Sequence, residues 1–340
     1  MLPCNLPIVQ APMAGGPSTP ELAAAVAAAG GFPYVAAAYL SPDALDDAIV
    51  RTRELTPAPL GVNLFVPSPN AVDPDAIAGY ARQLEPEAQR LGVALGDPHW
   101  DDDAFDEKLD RVIAARVHTV SFTFGCPDPQ IIDRLHRAGA HLAVTVTNAT
   151  DATHAADAGA DSLVVQGTEA GGHQGTFDSA TANHTTLLDA IAAVRDATEL
   201  PLIAAGGIMT ADDAAAAINT GAAAVQLGTA LLLAAEAGTS AVHRDAIATN
   251  RYPDTIITRA FSGRWARGLA NRFATEHQDA PAGYPQIYHL TRPLRAAATK
   301  ADDADVPNLW AGTGWRQAVA ESTAAIVQRI AAGTTAGHGR

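Results

Sequence analysis

The sequence is poor in cysteine, lysine and positive charge. Its two cysteines, Cys4 and Cys126, form no CxxC pair and no Cys/His cluster, which excludes a disulfide framework and a zinc-finger-like centre. Lys108 and Lys300 are its only lysines, and 22 basic residues face 37 acidic ones for a net charge of −15. Nucleic acid and anionic membranes are polyanions, so that balance argues against either as a partner. Long apolar runs are missing too. The most apolar stretch, 222–235, is too short for a bilayer and contains Gln226 and Gly228. The start, Met1-Leu2-Pro3-Cys4-Asn5, shows no basic, apolar leader, so a cytoplasmic location is expected. The triplets at Asn148 and Asn183 then read as chance glycosylation matches.

What is present is an apolar 48% in 340 residues, enough for a large core. Short apolar runs alternate with Ala-rich amphipathic stretches, the pattern of βαβ units around a parallel sheet. Eight runs are found: 8–13, 32–36, 60–65, 119–124, 142–146, 162–166, 202–205 and 224–227. Helices are expected over 20–29, 42–54, 74–90, 129–138, 149–158 and 211–220. Thr19, Ser41 and Asp73 each precede a proline at a helix start, and Gly30, Gly139, Gly159 and Gly221 close helices. Eight such repeats predict a (β/α)8 barrel. A doubly wound sheet is the alternative, but no GxGxxG follows the first run. Residues 1–235 and 306–332 are assigned to the barrel, with a closing helix from about Gly314. Residues 236–305 show no clear strand alternation and are expected to be a mainly helical lid, and 333–340 a flexible tail.

Catalytic groups of such barrels lie at the carboxyl ends of the strands. After the seventh and eighth runs stand Ala205-Gly206-Gly207-Ile208 and Gln226-Leu227-Gly228-Thr229. These glycines let backbone N–H groups approach a phosphate, and Thr229 can open a helix whose dipole faces the anion. After the sixth run comes Gln166-Gly167-Thr168-Glu169-Ala170-Gly171-Gly172-His173. A histidine in so glycine-rich a loop suits a general base or a cationic anchor, and a surface loop is the plain alternative. Asn63, near the end of the third run, and Gln166 each offer a donor and an acceptor to a ring edge, or simply cap a loop. Gly312-Thr313-Gly314 lacks the third glycine of a dinucleotide motif. Asp101-Asp102-Asp103 reads as a solvated helix start, and the remaining histidines show no metal spacing.

Taken in order, these motifs resemble the nitronate monooxygenases, FMN-dependent (β/α)8 barrels formerly called 2-nitropropane dioxygenases. The resemblance covers most of the chain. It rests on Pro7 to Gly16, on Gly61-Val62-Asn63-Leu64-Phe65, on Ser121 to Gly125 and on Glu169 to His173. It continues through Ala205 to Ile208, Gln226 to Thr229, Leu290 to Arg295 and Leu309 to Gly312. The resemblance implies FMN held by Asn63, Gln166, Gly171, Gly206, Gly207, Gln226, Leu227, Gly228 and Thr229, with Pro12 and Met13 against its ring. It implies His173 as the catalytic histidine and Tyr284, Tyr288 and Arg292 as substrate contacts of the lid. Gln174, Arg292 and Thr313 depart from common family residues, and bear on substrate preference and lid contacts. The implied reaction is oxidation of an alkyl nitronate, propionate 3-nitronate or another, by O2 to a carbonyl compound and nitrite through an anionic flavosemiquinone. An NAD(P)H-dependent flavin reductase on the same barrel and a non-catalytic flavin-binding barrel are the alternatives. No metal is expected, and the protein is taken as a monomer or homodimer.

Overall fold

The computed structural model describes residues 2–68 and 72–334. Eight parallel strands form the central sheet: β1 (Ile8–Gln10), β2 (Tyr34–Ala36), β3 (Gly61–Phe65), β4 (Thr119–Thr123), β5 (His141–Val146), β6 (Ser162–Gln166), β8 (Leu202–Ala205) and β9 (Ala224–Leu227). A ninth short strand, β7 (Gly172–His173), belongs elsewhere. The order β1-β9-β8-β6-β5-β4-β3-β2 closes on itself, because Gln10 N donates to Phe32 O at 2.9 Å and Phe32 N to Ile8 O at 2.8 Å. This is the expected (β/α)8 barrel. The expected strands and the observed ones agree within three residues at each end. The first run ends early because Pro12, which has no N–H, cannot extend a ladder.

The outer helices are α1 (Pro20–Ala28), α2 (Pro42–Leu55), α3 (Pro74–Leu91), α4 (Phe105–Ala114), α5 (Pro129–Arg137), α6 (Ala149–Ala158), α7 (Leu187–Ala197) and α8 (Ala211–Asn219). Thr19, Ser41 and Asp73 accept from backbone N–H groups in the first turn, as read from their place before proline. Helices α4 and α7 were not among those expected. Strand alternation sends Val62 and Leu64 outward onto α2 and α4, and turns Gly61, Asn63 and Phe65 inward. Inside the barrel Val9, Phe32, Tyr34, Ala143, Val164 and Ile203 pack together. A Cβ on Gly61 would stand 2.4 Å from the Tyr34 ring, so this glycine makes room for a core aromatic.

Residues 236–305 hold α9 (Ala241–Ala248), α10 (Arg272–Glu276) and α11 (Gln286–Lys300). They also hold two strands, β10 (Thr255–Thr258) and β11 (Ala266–Leu269), which pair antiparallel with each other. Sequence reading did not anticipate them: the run Thr-Ile-Ile-Thr is short and β11 carries an arginine and a glycine. Strand β11 also pairs with β7, setting Ala266 opposite His173. After the barrel a 3-10 turn at Trp315–Gln317 comes first. The last helix, α12 (Thr323–Ala331), starts nine residues beyond Gly314, just after its Ser322 cap. Of the expected tail, Thr334 is buried and 335–340 lie outside the described residues.

Candidate active site

A cavity of about 700 Å³ opens at the carboxyl end of the barrel, within the roughly 300–1,000 Å³ typical of ligand sites. Two regions of different construction line it.

The first is made of backbone. Gly206 and Gly207 follow β8 at φ +116° and +71°, a region that favours glycine. A Cβ on Gly206 would meet Ala170 N at 2.9 Å, and one on Gly207 would meet Glu169 Cβ at 3.0 Å. The N–H groups of Gly207 and Ile208 find no acceptor among the described residues. Gly228 and Thr229 line the same wall from the end of β9. Thr229 Oγ1 accepts from Gly312 N at 2.9 Å, and Thr313 N donates to Glu169 O at 3.0 Å. Hence the Gly312-Thr313-Gly314 segment closes over the two glycine loops. Pro12, Met13, Gly171 and Gln226 also line the cavity. Leu227 does not. Its side chain is buried in the barrel–helix core, as alternation along β9 requires.

The second region is made of side chains. His173 lines the cavity with Phe65, Phe124, Tyr284 and Trp310 around it, at ring-centroid distances of 6.4, 5.6, 5.9 and 5.5 Å. Its Nε2 lies 2.7 Å from Ser262 Oγ. The Arg264 guanidinium lies over the Phe124 ring at 3.9 Å and donates to Thr176 O. Among the described residues no acidic side chain forms an ion pair with Arg264. Burial, with the Arg264 and Arg295 charges added, lowers the His173 pKa to about 3. The imidazole is therefore neutral at pH 7, a weak base with a free lone pair rather than a cationic anchor for an anion. Burial also lowers the Arg264 pKa to about 10, which leaves it charged.

The two amides do different work. Asn63 is buried, and its Nδ2 donates to Ser121 O, Ser121 Oγ and Thr123 Oγ1 at 3.2, 2.9 and 3.1 Å. Its Oδ1 accepts nothing within the described chain and is open to the cavity, in the flip the network favours. Gln166 uses both ends on the histidine loop: Nε2 donates to His173 O at 3.0 Å, and Oε1 accepts from Gly175 N at 2.7 Å. Gln174 turns away and pairs twice with the Asn183 backbone. Among the residues expected to be substrate contacts, Tyr288 lines the cavity and stacks on Tyr39 at 4.2 Å, beneath the Arg295 guanidinium. Arg292 stands exposed at the mouth. Tyr284 packs against His173 and Phe124 instead of lining the cavity.

Ser262, Arg264, Arg295, Trp310 and Tyr39 were not foreseen. Ser262, Arg264 and Tyr39 sit in segments without a motif. Arg295 and Trp310 lie within motif segments but were given no role, and only the fold brings them to Tyr288 and His173. The Gly312/Gly314 pair did carry a signal, its spacing, but the acceptors that give it meaning are far off in sequence.

The family profile described as "Nitronate monooxygenase" matches residues 4–333. A "Probable nitronate monooxygenase" of Staphylococcus aureus (strain Newman) is 37% identical, covering 97% of this chain and 94% of its own. The structure of a nitroalkane oxidase from Streptomyces ansochromogenes superposes with a TM-score of 0.94 at 45% identity, covering 98% of each chain. FabK from Thermotoga maritima is more distant, with a TM-score of 0.77 at 26% identity over 98% of this chain and 94% of that one. The chain belongs to the nitronate monooxygenase family, a family of flavin-dependent oxidoreductases.

Proposed function

We propose that the cavity holds FMN and that the enzyme oxidises alkyl nitronates with O2 to a carbonyl compound and nitrite. The observation that carries this reading is the neutral, ring-caged His173 lining the same cavity as a cradle of glycine-loop N–H groups that no acceptor among the described residues engages. The donor set fits the cofactor. Gly206, Gly207, Gly228 and Thr229 would hold its phosphate, as backbone N–H groups hold anions. Pro12, Met13 and Gly171 would lie along the ring, and Asn63 Oδ1 would accept from a ring N–H. Bound FMN supplies one-electron transfer from the substrate and reaction with oxygen.

The protein's own part is binding, orientation and proton transfer. A nitronate is an anion, and the cations lining the cavity are Arg292, Arg295 and Lys300, all on α11. For a neutral nitroalkane His173 would remove the α-proton. Ser262 would keep the ring in place while Nε2 is engaged, leaving Nδ1 for the substrate side. Residues 236–305 act in this reading as the cover that excludes water from the chemistry.

The test is purification, an absorbance spectrum, and nitrite release from a nitronate with and without NADH. A yellow protein that releases nitrite without NADH supports the reading. Rapid anaerobic bleaching of the flavin by NADH, with no nitrite formed, would make the enzyme a reductase instead.

A further inference from the structure

Away from the cavity, the loop between α3 and α4 lies directly on α11. Gly96 N donates to Leu290 O at 3.0 Å, and a Cβ on Gly96 would stand 2.0 Å from the His289 carbonyl oxygen. Only glycine allows this backbone-to-backbone approach, and the approach delivers His99 and Asp101 to His289. His289 Nε2 is 2.8 Å from Asp101 Oδ2, and His99 Nε2 is 3.5 Å from the same oxygen. The two imidazoles stack, with centroids 4.1 Å apart and planes 21° apart. His99 Nδ1 lies 3.0 Å from Asp97 O. A carbonyl only accepts, so that Nδ1 carries the hydrogen and Nε2 presents its lone pair to the cluster. A ring nitrogen oriented in this way by a carbonyl on the far side is the usual arrangement of a metal-binding histidine.

We propose that His99 Nε2, Asp101 Oδ2 and His289 Nε2 form a site for a divalent transition metal, with zinc the best match. Zinc takes imidazole and carboxylate ligands at about 2.0–2.2 Å, which sets ligand atoms about 3.3 Å apart in a tetrahedron. The separations from Asp101 Oδ2 to the two imidazole nitrogens, 2.8 and 3.5 Å, bracket that value, and turning the stacked rings would aim both lone pairs at one ion. His99 and Asp101 are half-exposed, so water can fill the fourth position and the ion has a way in. None of the three residues lines the cavity.

A second group of two histidines and a carboxylate shows what such a site is not. His141 Nε2 is bonded to Ser162 Oγ at 2.9 Å, its Nδ1 stands 3.9 Å from Asp161, and Asp161 Oδ2 already accepts from Leu142 N at 2.7 Å. His136 completes that group at 3.0 Å, but the chain itself satisfies it.

An ion at His99, Asp101 and His289 would clamp the loop to the lid helix one residue from Tyr288. The same loop already holds the wall of the cavity. Asp103 accepts from Tyr39 N at 3.1 Å, and Tyr39 stacks on Tyr288. Metal binding would thus stiffen the aromatic side of the mouth.

The test is calorimetric titration of the EDTA-treated full-length chain with zinc chloride, repeated with cobalt(II) and read by visible absorbance. One ion per chain is expected. His99→Ala, Asp101→Asn and His289→Ala should each weaken binding by about tenfold or more, while His136→Ala leaves it unchanged. Circular dichroism of His99→Ala, a half-exposed loop position, confirms folding. No saturable binding, equal binding by wild type and folded His99→Ala, or loss in His136→Ala alone would each overturn the site. None of these readouts depends on flavin or turnover.

Discussion

The two walls of the cavity are built on opposite principles. One is a cradle of glycine backbone at the ends of β8 and β9, with almost no side-chain chemistry. The other is a cage of side chains around His173, drawn from β3, the loop after β4, and residues 262–310. A backbone cradle binds through local conformation, so short stretches of sequence encode it. A side-chain cage works through who meets whom, and its parts lie up to 137 residues from His173 in the chain, at Trp310. The first wall should therefore govern whether flavin is held, and the second whether bound flavin turns over.

That division can be broken experimentally. The largest effect is expected at His173. His173→Asn should lower turnover of a nitroalkane by about 10²–10⁴-fold, the usual worth of a general base, while the flavin spectrum is retained. Equal loss of flavin would merge the two walls into one unit. Gly206→Val should do the reverse. Its side chain would collide with Ala170 at a backbone angle only glycine favours, so purified protein should carry little flavin, and any holoprotein should keep nearly normal turnover per flavin.

A pH measurement sharpens the contrast further. His173 is held neutral to about 3, and burial likewise lowers buried His243 to about 4. The unfolded chain takes up these protons near pH 6.5, so between 6.5 and about 3–4 it binds more protons than the native state. Stability contributed by the two neutral rings is therefore present above pH 6.5 and is lost as pH falls through that window. Urea midpoints at pH 7, 5 and 4 should decline, and less steeply in His173→Asn. Activity should show no imidazole step near pH 6.5 that His173→Asn abolishes. Ser262→Ala should have the smallest effect. It removes the partner of Nε2 and loosens the ring, costing about tenfold in kcat, or about 1.4 kcal/mol, with flavin content unchanged.

Much of the barrel was legible in the chain. Apolar runs and proline-led caps located every barrel strand and six helices, because both reflect conformational preferences acting over a few residues. Helices α4 and α7 escaped notice, although α7 opens on a capping Thr186 that accepts from Asp189 N. The glycine loops and His173 were legible for the same local reason. The small antiparallel sheet was not, since β7 is two residues long and exists only because β11 pairs with it. Gln166 shows the limit within a single residue. An amide at a strand end offers donor and acceptor, but the fold commits both to the histidine loop.

The chain's own order of residues determined the barrel, the place of the glycine cradle and the place of His173 in its glycine-rich loop. Each is written in neighbouring residues through backbone preference, periodicity and spacing. The tertiary structure alone decided that His173 is neutral, because its charge depends on the rings and guanidinium groups packed around it. It also decided that Asp101, a solvated helix start by sequence, meets His99 and His289. Desolvation and ligand convergence belong to three-dimensional neighbours, and a linear chain does not name them.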